Sequence, residues 1–125
     1  MRQTGDKMSG STSRRKGHQF ERDVANRLKP IYPDAKRGVL QCRSGSEVAD
    51  VENTPWWIEC KCGARPNVMG AYEQAVEAAG EDPRPIAVVS HKDRGRLLVT
   101  MAFDSWERLI KGQCKCKEHT QCTKI

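Results

Sequence analysis

Residues 49–63 read ADVENTPWWIECKCG, and they place Asp50, Glu59 and Lys61 where a small domain would normally bury apolar side chains. Val48 to Glu52 suits a short strand, Asn53-Thr54-Pro55 a turn and Trp56 to Cys62 a second strand, so the stretch predicts an antiparallel hairpin. Side chains alternate along a strand, which puts Trp57, Glu59 and Lys61 on one side and Trp56, Ile58, Cys60 and Cys62 on the other. A short turn brings Asp50 opposite Glu59, so two carboxylates and one ammonium converge. Two carboxylates in a partly desolvated place repel each other, and a divalent cation bound by both relieves that repulsion. A few oxygen ligands that leave open positions suit Mg²⁺ or Mn²⁺ better than Zn²⁺. Lys61 beside such an ion is placed to hold or help deprotonate a water and to balance charge on a phosphate. Taken alone, the Glu59-Cys60-Lys61 triplet also fits an exposed cross-strand ion pair, with Lys61 against Asp50 or Glu59. Glu47 and Glu52 are further carboxylates nearby, and a register shift of one residue would let either replace an assigned ligand.

Working outward, Phe20, Val24 and Leu28 recur every four residues and predict a helix from Gly17 to Lys29, stopped by Pro30 and Pro33. Ala35 to Arg43 alternates as a strand, which with the hairpin makes a three-stranded meander. Asn67 can cap a helix to about Ala79, with Val68, Tyr72, Ala75 and Val76 at helical spacing and Gly80 as its stop. Pro85 to Ser90 and Leu97 to Phe103 read as strands. A final helix, Asp104 to Lys111, has Asp104 or Ser105 as cap and Trp106, Leu109 and Ile110 as packing face. The order αβββαββα predicts an α/β domain, a mixed β-sheet flanked by helices. It would occupy residues 17–111, after a flexible basic arm (1–16) and before a basic tail carrying Cys and His (112–125).

Charge divides along the chain. Residues 1–43 hold eleven Lys/Arg against four Asp/Glu, 44–110 seven against eleven, and 111–125 four against one. A polyanion is drawn to the termini and a cation to the middle. The run Arg14-Arg15-Lys16, together with Arg43, Lys92, Arg94 and Arg96, fits contacts to nucleic-acid phosphates, although each alone fits a solvated surface charge. No apolar run is long enough to span a membrane and the N-terminal segment is polar, so we expect no membrane partner and a cytoplasmic location. Six cysteines without a secretory signal suggest thiols or metal ligands. Cys114, Cys116, His119 and Cys122 offer four soft ligands for a structural Zn²⁺, at a spacing tighter than that of common zinc fingers. A flexible basic tail is the other reading of the same residues.

Asp50 followed after a short gap by Glu59-Cys60-Lys61 resembles the PD-(D/E)xK nuclease signature, with Ala49 where proline often stands. The resemblance spans about residues 17–110 and is strongest to the archaeal-type Holliday junction resolvases and related phage endonucleases. It implies a restriction-endonuclease-like core and a Mg²⁺-dependent DNA endonuclease. In that family Asp50, Glu59 and the Cys60 carbonyl would hold the metal with help from Glu21, and Lys61 would act on the water. Gln74 would orient the site, and Arg43 and Ser44 would contact phosphate. The resemblance further implies branched duplex DNA as substrate, a homodimer, and the host cytoplasm for a phage-encoded member. A less selective duplex or nicking endonuclease, or a non-catalytic DNA-binding module of the same fold, remain the alternatives.

Overall fold

The computed structural model describes residues 10–39 and 48–116. Its elements are α1 (Gly10–Leu28), β1 (Lys36–Arg37), β2 (Val51–Glu52), β3 (Trp57–Gly63), α2 (Val68–Ala79), β4 (Ile86–Lys92), β5 (Leu97–Met101) and α3 (Phe103–Cys116). The sheet order is β1-β2-β3-β4-β5, antiparallel throughout except for the parallel β3–β4 pair, so the mixed sheet and the expected element order are both present.

The alternation of β3 sorts the core into two layers. Ile58 packs with Phe20, Val24 and Ala25 of α1, with Val51 and with Val89, while Cys60 and Cys62 border the same cluster. Trp57 packs on the other face with Ala49 and Ala75 of α2. Burying side chains such as Val51 and Ile58 stabilises the fold by about 1.5–3 kcal/mol each. Between β2 and β3, Asn53 takes a left-handed conformation (φ 70°) that its short polar side chain tolerates, and its Nδ2 donates to the Asp34 carbonyl.

Four expectations need correction. α1 begins at Gly10 rather than Gly17, so Arg14, Arg15 and Lys16 are exposed helical residues and not the end of an arm. α2 starts as expected, with the Asn67 side chain accepting from the Gly70 N–H, but its buried face is Ala71 and Ala75 while Val76 is exposed. Small residues let that helix sit close over Trp57, and the larger Val76 is turned away. β5 stops at Met101, and α3 begins at Phe103, ahead of both expected caps, and runs through Cys116, beyond the expected boundary at Lys111. Trp106, Leu109 and Ile110 do not form a buried face: they are exposed with Phe103, although Leu109 joins Arg108 and the buried Ser105 in lining a cleft with Trp56 and Pro85.

Candidate active site

The shortness of β2 shapes the candidate site. It pairs with β3 only at Val51↔Ile58, so the two strands have no further ladder partners toward the end of β3. Backbone groups of successive β3 residues point to opposite sides: Trp57 N–H donates to the Pro85 carbonyl on the β4 side, and the Ile58 carbonyl accepts from Asp50 N–H on the β2 side. Cys60, two residues beyond Ile58, therefore turns its N–H and its carbonyl into the gap that β2 leaves. Asp50 Oδ2 accepts from that N–H at 2.8 Å. The Cys60 carbonyl faces the same gap, where a metal ligand was expected.

Asp50 is fixed from both sides. Its N–H pairs with Ile58 and its carbonyl accepts from Gly38 N–H at 2.8 Å. A Cβ at position 38 would collide with the Ala49 carbonyl, so only glycine allows the chain after β1 to approach this closely. One step along from the Val51↔Ile58 pair, Asp50 falls across from Glu59, as the hairpin predicts.

The electrostatics follow from that crowding. Burial pushes the Asp50 carboxyl up to about 6; Glu21 adds to the shift, and the Cys60 N–H, Arg37 and His18 oppose it. Burial pushes Glu59 to about 7, with Asp50 and then Glu21 raising it and Trp57 and Lys61 opposing. The Trp57 indole N–H, buried with no hydrogen-bond partner at bonding distance, favours the Glu59 charge only by proximity. Lys61 is exposed and forms no ion pair among the described residues, so the surface ion-pair reading of the triplet is not what the chain adopts. Glu52 is not part of the cluster. Its Oε2 accepts from Ala49 N–H at 2.8 Å and lies 3.6 Å from Arg84, and Arg84 in turn binds Asp82 and stacks over Trp57.

Glu21, next to the buried Phe20, does reach the carboxylate pair electrostatically, but its Oε1 is held by Arg37 Nε at 2.9 Å. Among the described residues no three His, Cys, Asp or Glu side chains converge as a ready-made cage. The donor set that fits a divalent cation is therefore two crowded carboxylates and one carbonyl, all oxygen, with open positions left for water and substrate.

Of the remaining expected site residues, Gln74 is exposed on α2, and no contact of the described residues ties it to Asp50 or Glu59. Lys16 and Arg94 come together at one cleft of about 480 Å³, beside the stacked Phe20 and His91 rings and Cys62. Arg14, Arg15, Lys92 and Arg96 are exposed. Arg43 and Ser44, like His119 and Cys122, lie outside the described residues; the backbone of Cys114 and Cys116 falls in the last turn of α3. Burial also raises the Cys60 and Cys62 thiols, which makes both poor nucleophiles.

Two residues escaped the sequence reading. His18, one turn before Glu21 on the same helical face, is held below its ordinary value by partial desolvation and by Arg37, Arg22 and Arg14, while Asp50 opposes. The i, i+3 spacing from Glu21 was the signal that could have found it. Arg37 carries no such signal, since only the packing of α1 on β1 brings it to Glu21. The chain matches no protein-family model, no curated protein and no solved structure.

Proposed function

We propose that this chain is a divalent-metal-dependent DNA endonuclease with a restriction-endonuclease-like core, selective for branched duplexes. The observation that carries the reading is the placement of Asp50 and Glu59 at the β2–β3 gap, where burial and Glu21 raise both carboxyls, Asp50 further raises Glu59, and no cation among the described residues forms an ion pair with either. A group of that kind is stabilised by a bound dication more than by anything else in its surroundings.

Asp50, Glu59 and the Cys60 carbonyl would hold Mg²⁺ or Mn²⁺, and the bound ion would acidify a water and balance charge building on the phosphate. Asp50 keeps its geometry through the Cys60 N–H, which engages Oδ2 and would leave Oδ1 for the ion. Lys61, following on the same strand face as Glu59, offers an exposed ammonium to a non-bridging phosphate oxygen or to the attacking water. Glu21 is a reserve carboxylate, engaged with Arg37 as the chain stands.

Incubation of the protein with a synthetic four-way junction and with a linear duplex of the same sequence tests this reading, in Mg²⁺ and in EDTA. Paired symmetric nicks confined to the junction support the structure-selective enzyme, and nicks in both substrates support a less selective one. A folded protein that binds either DNA but cuts neither, in Mg²⁺ or Mn²⁺, returns the chain to the non-catalytic binding module.

A further inference from the structure

Beyond the carboxylate site, the packing of α1 on β1 builds a second feature with a single sign of charge. Arg22, Ala25 and Asn26 lie at i, i+3 and i+4 on one stripe of α1, and Lys29 follows at the turn just past its end. Ala25 is buried and small, so β1 and the residues after it come close, and Lys36, Arg37 and Val39 form the facing wall. The result is a cleft of about 350 Å³ with four cations on its two walls, and among the described residues no carboxylate lines it. Among the described residues, Arg22, Lys29 and Lys36 have no ion-pair partner, and all three are exposed. Arg84, by contrast, sits between Asp82 and Glu52. Three like charges without an ion-pair partner around one groove, beside an Arg37 already held by Glu21, repel each other, and an anion seated there removes that repulsion.

Arg37 links the cleft to the carboxylate site. The same guanidinium that closes one wall donates to Glu21 and acts on the charge of Asp50, so Arg37 is shared between the cleft and the surroundings of the carboxylate pair. We propose that the α1–β1 cleft is the seat for the sugar–phosphate backbone of the DNA strand leading to the Asp50–Glu59 site, with Arg22, Lys29 and Lys36 as its phosphate contacts. This rests on the nucleic-acid reading above and adds to it the surface that holds the substrate. An edge-strand lysine such as Lys36 is also expected where a protein must discourage strand pairing, but that role predicts no effect on DNA binding.

Binding of fluorescent four-way junction and of linear duplex is measured by anisotropy in EDTA over a series of salt concentrations, so that no step depends on cleavage. The variant Lys29→Gln/Lys36→Gln is compared with Arg108→Gln/Lys111→Gln, an equal loss of charge on the exposed face of α3; Arg37 is left intact because it touches Glu21. The cleft variant should lower the slope of log affinity against log salt by about 2, roughly one per phosphate contact, and the control should leave it near the wild-type value. Equal changes in both variants, which would mark a general charge effect, or wild-type binding by the cleft variant would overturn the assignment. A cleft variant that behaves as expected in a protein that never cuts DNA would sink the nuclease reading and leave the cleft standing.

Discussion

Asp50 and Glu52 stand two residues apart at one short strand, and the fold treats them in opposite ways. Glu52 accepts from the Ala49 N–H and lies beside Arg84, itself bound to Asp82 and stacked on Trp57, so its charge is answered within the protein. Asp50 accepts one backbone N–H but is pushed up to about 6 by burial and by Glu21, and it in turn helps raise Glu59 to about 7. One carboxylate is structural and the other is kept in want of a cation. Stability alone would have given both the treatment of Glu52, and under the proposed function the unanswered pair is where the fold gives up stability for metal binding.

The contrast can be broken most forcefully on the side of the chemistry. Glu59→Gln and Lys61→Ala should each lower Mg²⁺-dependent strand cleavage by about 100-fold or more, read from single-turnover rates, with little change in DNA binding in EDTA. A cleaving Glu59→Gln protein would remove the metal site from the account.

Stability should respond in the reverse sense. Glu52→Ala leaves the Ala49 N–H, on a fully buried residue, without its acceptor, and should lower unfolding free energy by about 1–3 kcal/mol in a denaturant titration. An unaffected midpoint would mean that Glu52 is as dispensable to the fold as any surface acid.

A smaller effect sharpens the comparison through pH. Because Asp50 and Glu59 titrate higher in the folded chain, the native state binds more protons than the unfolded one across the window from ordinary carboxylate values up to about 7. The stability they contribute is full below that window and lost as pH rises through about 6 and 7. In EDTA at pH 8, Glu59→Gln should therefore gain on the order of 1 kcal/mol, held to that size because the side chain keeps some contact with water, and at pH 4 the gain should vanish. Mg²⁺ should raise the Tm of the wild type more at pH 8 than at pH 5, since the ion must displace protons at the lower pH. A wild type whose Mg²⁺ response ignores pH would contradict the raised carboxyls.

What was legible in the sequence was whatever a short-range pattern encodes. The alternation of Trp57, Glu59 and Lys61 against Ile58, Cys60 and Cys62 is a property of the strand alone, and the two core layers follow it. Asn67 as a cap and Phe20 and Val24 as a buried stripe are equally local. The failures came where tertiary packing decides. A Gly- and Ser-containing segment reads as an arm but continues α1 to Gly10, and the apolar residues of α3 look like a core face although they stay exposed among the described residues. Arg37 and Glu21 lie sixteen residues apart, and nothing in their spacing announces that they meet. The same holds for the cleft, whose two walls come from separate elements. The opposition of Asp50 and Glu59 was legible because the hairpin that aligns them is local; their electrostatic partners were missed because those arrive from α1 and β1.

The most direct test compares the two carboxylates in one assay: cleavage of a labelled four-way junction in Mg²⁺ by the wild type, Asp50→Asn and Glu52→Gln, each first checked for folding by circular dichroism. The account predicts that wild type and Glu52→Gln cut at similar rates while Asp50→Asn leaves the junction intact. Cleavage by Asp50→Asn, or none by a folded wild type in either Mg²⁺ or Mn²⁺, would contradict it.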